Sequence, residues 1–162
     1  MKQLYILCAS LLFSVAAFSQ TDTLAGNLPD TNIPAFSIQL ADGSWFNKTD
    51  LEKKPTLILY FSPDCGHCQL ETEDILSHAK ELNKLQIVMI TSREMSEMKT
   101  FSDRYMLQKF PFIKIGSDTK KFVTHFYNVK FTPFSALYNK KGQLVKVYEK
   151  GIDFDDLEAN IK

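Results

Sequence analysis

The chain has 162 residues, 44% hydrophobic and 23% charged, a size and composition that fit one globular domain. Lysine plus arginine match aspartate plus glutamate at 19 each, so no basic surplus points to nucleic acid or an anionic membrane surface. Three cysteines are too few for a disulfide framework in a domain long enough to build its own core.

The amino end sets the first expectation. Met1-Lys2 starts positive, Leu4 to Phe18 is apolar, and Ala17-Phe18-Ser19 places small residues before a cut. This is the pattern of a secretory signal over residues 1–19, with Gln20 as the new N-terminus and export to a bacterial periplasm or envelope. The apolar run, about 15 residues, is shorter than the ~20 that span a bilayer, although an uncleaved anchor is the alternative. Cys8 lies inside that run rather than after it, which argues against a lipoprotein. Cleavage removes Lys2 and Cys8, leaving 18 basic against 19 acidic residues and two cysteines, Cys65 and Cys68.

Residues 20–32 are polar and aperiodic and read as a flexible lead; residues 33–162 read as one domain. Residues 33–40 alternate Phe36, Ile38 and Leu40 inward, Asp42-Gly43 signals a hairpin, and Ser44-Trp45-Phe46 returns. Thr49 or Asp50 is placed to cap a helical turn. Leu57 to Phe61 has the length and content of a buried strand, and Ser62-Pro63-Asp64 ends it. After Cys68, Ile75, Leu76, Ala79 and Leu82 recur at helical spacing. Leu85 to Thr91 reads as a second buried strand, and Ser92 as the cap of a helix running to Leu107. Residues 110–115 read as a short strand, at an edge because of Pro111. Asp118 is placed to cap a helix over 119–127. Phe134 to Tyr138 and Gln143 to Tyr148 form a hairpin, and Asp153 opens a last helix with Phe154, Leu157 and Ile161 on one face. The order gives an α/β domain with a mixed sheet.

The chemistry concentrates in Cys65-Gly66-His67-Cys68. A thiolate, not a thiol, attacks a disulfide, and the first turn of a helix favours a negative sulfur. Cys65 is placed there as nucleophile, with protonated His67 adding positive charge, and Cys68 lies deeper as the resolving thiol. A zinc site would need four ligands, and the mature chain offers only His67, His78 and His125 besides the pair. Trp45 and Tyr60 read as core or site-wall aromatics.

Strand, turn, Cys-Gly-His-Cys and helix together resemble the thioredoxin superfamily, over nearly all of residues 33–162. The leading hairpin, the added helix and strand ending Phe110-Pro111-Phe112, and Tyr127-Asn128-Val129, Pro133 and Gly142 look most like exported TlpA/ResA-type thioredoxins and the related AhpC/TSA redoxins. The resemblance implies a thioredoxin fold with an N-terminal hairpin and an inserted helix-strand. It also implies a cis Pro133 that, with the backbone of Thr132, holds an extended substrate, and it makes Glu71 the acid beside the resolving cysteine. A partly buried Glu71 with a raised pKa can accept the Cys68 proton; the alternative is a solvated acid serving the helix dipole. Two departures stand out. Asp64 replaces the usual aromatic before the first cysteine and opposes the Cys65 thiolate, and Leu59 occupies the place of thioredoxin's buried aspartate.

The expected activity is dithiol-disulfide exchange without metal or nucleotide, on protein disulfides or dithiols. The resemblance implies a reductase recharged by a membrane donor of the DsbD/CcdA kind, as in cytochrome c maturation or envelope redox homeostasis. The Gly-His pair instead favours oxidation or isomerisation. A peroxiredoxin-like peroxidase lacks its Thr-x-x-Cys signature here, and a copper-chaperone-like carrier, with His125 as third ligand, would space its cysteines by three residues rather than two.

Overall fold

The computed structural model describes residues 31–161; the expected signal segment and the lead up to residue 30 lie outside the described residues. Seven strands, β1 (Ser37–Leu40), β2 (Trp45–Asn47), β3 (Thr56–Tyr60), β4 (Gln86–Thr91), β5 (Ile113–Ser117), β6 (Phe134–Tyr138) and β7 (Leu144–Tyr148), make one mixed sheet ordered β2-β1-β5-β4-β3-β6-β7. The helices are α1 (Gly66–Ser77), α2 (Ala79–Leu82), α3 (Met95–Arg104), α4 (Phe122–Phe126) and α5 (Phe154–Asn160). Among the described residues no helix is long and apolar enough to cross a membrane.

Strand β3 is central because nothing in it needs water. All five of its residues are buried, and it pairs parallel with β4 and antiparallel with β6. Side chains alternate across the sheet, so Leu57, Leu59, Ile87, Met89 and Leu137 enter one core with Ile75, Phe101 and Leu157. Ile58, Tyr60, Val88, Ile90 and Ala136 enter the other with Phe36, Ile38, Val123 and Tyr127. Two-sided burial explains the unbroken apolar runs of β3 and β4. Truncating one of these fully buried leucines to alanine costs about 2–5 kcal/mol.

Several elements differ from the sequence reading. The strand expected at 110–115 is Ile113–Ser117, and it is no edge: it lies between β4 and β1. Pro111 precedes the ladder, so its missing N–H removes no sheet bond. Gly116 lets β1 come this close, since a Cβ there would stand 2.8 Å from Ile38 Cδ1. Helix α3 starts at Met95 with Glu94 as its cap residue, because the Ser92 hydroxyl is taken by Tyr60 at 2.8 Å. It stops at Arg104, and Met106 turns left-handed (φ 50°) just beyond. The cap residue of the next helix is Lys121, left-handed, rather than Asp118, and α4 is shorter than expected; the Asp118 carboxylate reaches its first turn from outside, accepting from Val123 N at 2.8 Å. The turn at Lys48–Asp50 is opened by Asn47, not by Thr49 or Asp50; Asn47 N donates to Asp50 at 2.7 Å. Helix α1 ends at Ser77, and His78 separates it from α2.

Thr31 and Asn32, at the end of the expected lead, are held to the folded domain. Leu144 N donates to Thr31 O at 2.6 Å, and Asn32 bridges to Gln143. Trp45 is not core: 58% of it is exposed on β2, whereas Tyr60 is buried.

Candidate active site

Strand β3 delivers the chain to a tight turn at the top of the sheet. Cys65 N donates to Ser62 O at 3.1 Å, which closes the turn, and Cys65 then caps α1 with extended backbone (φ −84°, ψ 116°). Its sulfur takes the place that an N-cap oxygen usually holds, accepting from Cys68 N at 3.4 Å. Both cysteines carry free thiols, Cys65 half-buried and Cys68 buried.

Their environments drive the two thiols apart. Burial raises Cys65, but contacts from Cys68 (side chain and N–H), the Thr132 side chain and the His67 backbone outweigh it and hold Cys65 below the usual 9.0. Burial is also the largest influence on Cys68, and there it wins: with Cys65 adding to it, the thiol is pushed up to about 12. One sulfur is prepared to ionise and the other to keep its proton.

The Thr132–Pro133 peptide bond is cis and brings Thr132 O within 3.5 Å of Cys65 Sγ. Residues 65 and 132 are thus joined across 67 positions of the chain at the mouth of the site.

Glu71 follows Cys68 by three residues, and α1 buries Cys68, Glu71, Thr72 and Ile75 on one side. The carboxyl is 5% exposed, accepts from Ser135 Oγ at 3.3 Å and is bonded by the Ile152 backbone. Burial outweighs those bonds and raises Glu71 to about 7, with nearby Asp74 adding to the rise. It is therefore no solvated helix acid. Ser135 stands opposite Leu59 in the β3–β6 ladder, so β6 supplies a polar group next to the place where β3 has an apolar one.

His67 acts on Cys65 through its backbone, and its exposed side chain lines the neighbouring cleft. Asp64 differs from expectation. Its carboxylate bonds to the Ser62 hydroxyl and faces Arg93 at 3.5 Å, and these contacts hold it below the usual carboxylate value. Its negative charge is met by Arg93, which weakens the expected opposition to the Cys65 thiolate. Arg93, Ser135 and the Gly151-Ile152 backbone are site residues that sequence reasoning missed. Only Ser135 left a signal, two positions after Pro133 on the same face of an extended strand.

A cleft of about 560 Å³ opens beside the dithiol, with His67, Glu71, Thr132, Pro133 and Glu149 to Phe154 among the residues that line it. His125, the third ligand of the metal-carrier reading, lies on α4. Among the described residues no group of three or more His, Cys, Asp or Glu side chains is placed to hold a metal ion.

The sequence matches the AhpC/TSA family over residues 29–150, more than half of the chain. No curated protein sequence matches it significantly. Solved structures do. A Neisseria meningitidis protein assigned as a thioredoxin is 26% identical with a TM-score of 0.67, covering 82% of this chain and 89% of that one. A secreted Mycobacterium tuberculosis disulfide oxidoreductase homologous to Escherichia coli DsbE is 21% identical with a TM-score of 0.66, covering 78% and 94%. A thiol:disulfide interchange protein of the thioredoxin family from Chlorobium tepidum is 19% identical with a TM-score of 0.67, covering 81% and 95%. The sheet and its flanking helices are the thioredoxin fold.

Proposed function

The chain belongs to the AhpC/TSA family, and within it we propose an exported thiol-disulfide oxidoreductase that reduces protein disulfides with the Cys65–Cys68 dithiol. One observation carries this reading: Cys65, half-buried at the N-terminus of α1, accepts from Cys68 N at 3.4 Å and lies 3.5 Å from the carbonyl of the cis Thr132–Pro133 bond, while the Cys68 thiol is buried. Burial pushes Cys68 up to about 12 and Glu71, one turn further along α1, up to about 7.

The Cys65 thiolate attacks one sulfur of a substrate disulfide; that bond breaks, and the other substrate sulfur leaves as a thiolate. Cys65 now holds the substrate in a mixed disulfide. The Cys68 thiol gives its proton to the Glu71 carboxylate, and its thiolate attacks Cys65 Sγ. The second substrate sulfur leaves, the Cys65–Cys68 disulfide forms, and two electrons have passed to the substrate. Glu71 returns its proton to water or to the departing thiolate. A pKa near 7 suits a group that must take and release a proton at neutral pH. Thr132 holds the extended substrate through its backbone, and Pro133 shapes the mouth.

The reducing direction is what the resemblance to TlpA/ResA-type thioredoxins implies, and a buried Cys68 that keeps its proton is compatible with it. A membrane donor of the DsbD/CcdA kind would return the electrons. A measured potential near that of DsbA, about −120 mV, sinks the reducing direction. The test of the chemistry is a trap: Cys68→Ser should accumulate mixed disulfides on Cys65, and Cys65→Ser should not. Equal trapping by both overturns the assignment.

A further inference from the structure

We propose that the cleft beside the dithiol selects substrates by charge, taking an extended polypeptide segment with basic residues flanking its disulfide cysteine. This rests on the thiol-disulfide reading and adds a substrate class to it.

The argument starts from the balance of charge along the cleft. Four acids line it, Glu71, Asp74, Glu149 and Asp153, against Lys150 and His67. The whole chain carries as many basic as acidic residues, so the excess is local to this wall. The groove on the other side of the active-site turn shows the contrast: there Arg93 and Arg104 balance Asp64 and Glu97, and Arg93 is already paired with both acids.

Two of these acids are also available: Asp74 and Glu149 are exposed, and neither side chain is among the ion pairs of the described residues. They line the same cleft as the Thr132–Pro133 segment, and Thr132 O lies 3.5 Å from the Cys65 sulfur. A chain lying along that segment with its cysteine at Cys65 therefore places its neighbouring side chains near these acids. Two apolar groups suit the aliphatic stems of lysine and arginine: Leu70, 59% exposed and lining the cleft, and Phe131, 81% exposed and next to Thr132. A cation seated there also favours the ionised form of Glu71, the form that accepts the Cys68 proton. An anionic segment would meet repulsion at the same place.

The test uses two peptides of equal length, each with one internal disulfide, flanked by lysines in one and by glutamates in the other. Initial rates of reduction by the reduced protein are divided by the rates with dithiothreitol, which removes intrinsic differences between the disulfides. The lysine peptide should be reduced about tenfold faster at 20 mM NaCl, falling to about twofold at 300 mM as salt screens the wall. The double variant Asp74→Asn/Glu149→Gln should bring the low-salt ratio near one, and if it folds poorly the salt dependence of the unmodified protein tests the same idea. A ratio near one at low salt, or a faster glutamate peptide, overturns charge selection and leaves the oxidoreductase reading standing. Reduction of neither peptide by protein with both thiols free overturns the oxidoreductase reading itself.

Discussion

Replacing Glu71 by glutamine should stabilise the reduced protein at neutral and alkaline pH while removing the proton acceptor. In the fold the carboxyl titrates at about 7, against 4.5 for the ordinary group. Between those values the folded chain keeps a proton that the unfolded chain has released. The contribution of Glu71 to stability is therefore fully present below pH 4.5 and is lost as pH rises through 7. Each pH unit between the two values is worth about 1.4 kcal/mol, so a buried, ionised Glu71 costs roughly 3 kcal/mol above pH 7. Glutamine keeps an oxygen for Ser135 and for the Ile152 N–H but carries no charge. The variant should gain roughly 2–3 kcal/mol at pH 8.5, which is about 10 °C in Tm for a domain of this size, and almost nothing at pH 4.5. Thermal unfolding of both proteins under reductant, from pH 4.5 to 8.5, reads this directly, because other titrating groups cancel in the difference. A difference that does not change with pH, or a variant less stable at pH 8.5, would refute the assignment of Glu71 as a buried acid with a raised pKa.

Two further outcomes follow from the same site. Alkylation with iodoacetamide, followed against pH by mass spectrometry, should modify Cys65 with an apparent pKa below 9.0 and leave Cys68 unreacted up to the alkaline limit of the fold; equal reactivity would contradict the inequality of the two thiols. Gly151→Ala should cost about 1–2 kcal/mol, since Gly151 holds φ +99° and a Cβ would stand 3.4 Å from Glu71 Oε2. Chemical denaturation measures the loss, and an unchanged midpoint would show that this loop yields freely.

The parts of the molecule legible in the sequence are those in which local chemistry and tertiary demand agree. Leu57 to Phe61 has no other stable use than a buried strand, and Pro63 has to end it. The cysteine pair, the hairpin at Gly142 and the Asp153 cap are read from neighbouring residues alone. The errors arise where a distant group decides. Ser92 looks like a cap until Tyr60, on another strand, takes its hydroxyl. Pro111 looks like an edge marker until the ladder begins past it, and β5 becomes interior because β1 folds onto it. Asp64 looks like a threat to the Cys65 thiolate until Arg93 arrives from the end of β4. Each of these three misses turns on a contact between residues far apart in the chain, which no local spacing encodes, whereas the Asn47 opening of the Lys48–Asp50 turn and the short α4 are local.

The placement of the buried acid connects fold to chemistry. A carboxyl at position 59 would lie within the sheet, beneath the dithiol. With Leu59 there, the acid is carried instead by α1, as Glu71, and β6 meets it with Ser135 from the position opposite Leu59. This placement puts the proton acceptor of the proposed mechanism on the wall of the cleft rather than within the sheet. On the proposed mechanism, a proton taken from Cys68 then has a short way out through the space that a substrate segment fills. A bound segment would slow its escape to water and keep it available to the leaving substrate sulfur, and departure of the segment would reopen the route. Proton transfer and substrate occupancy would then be coupled by position alone, with no moving part.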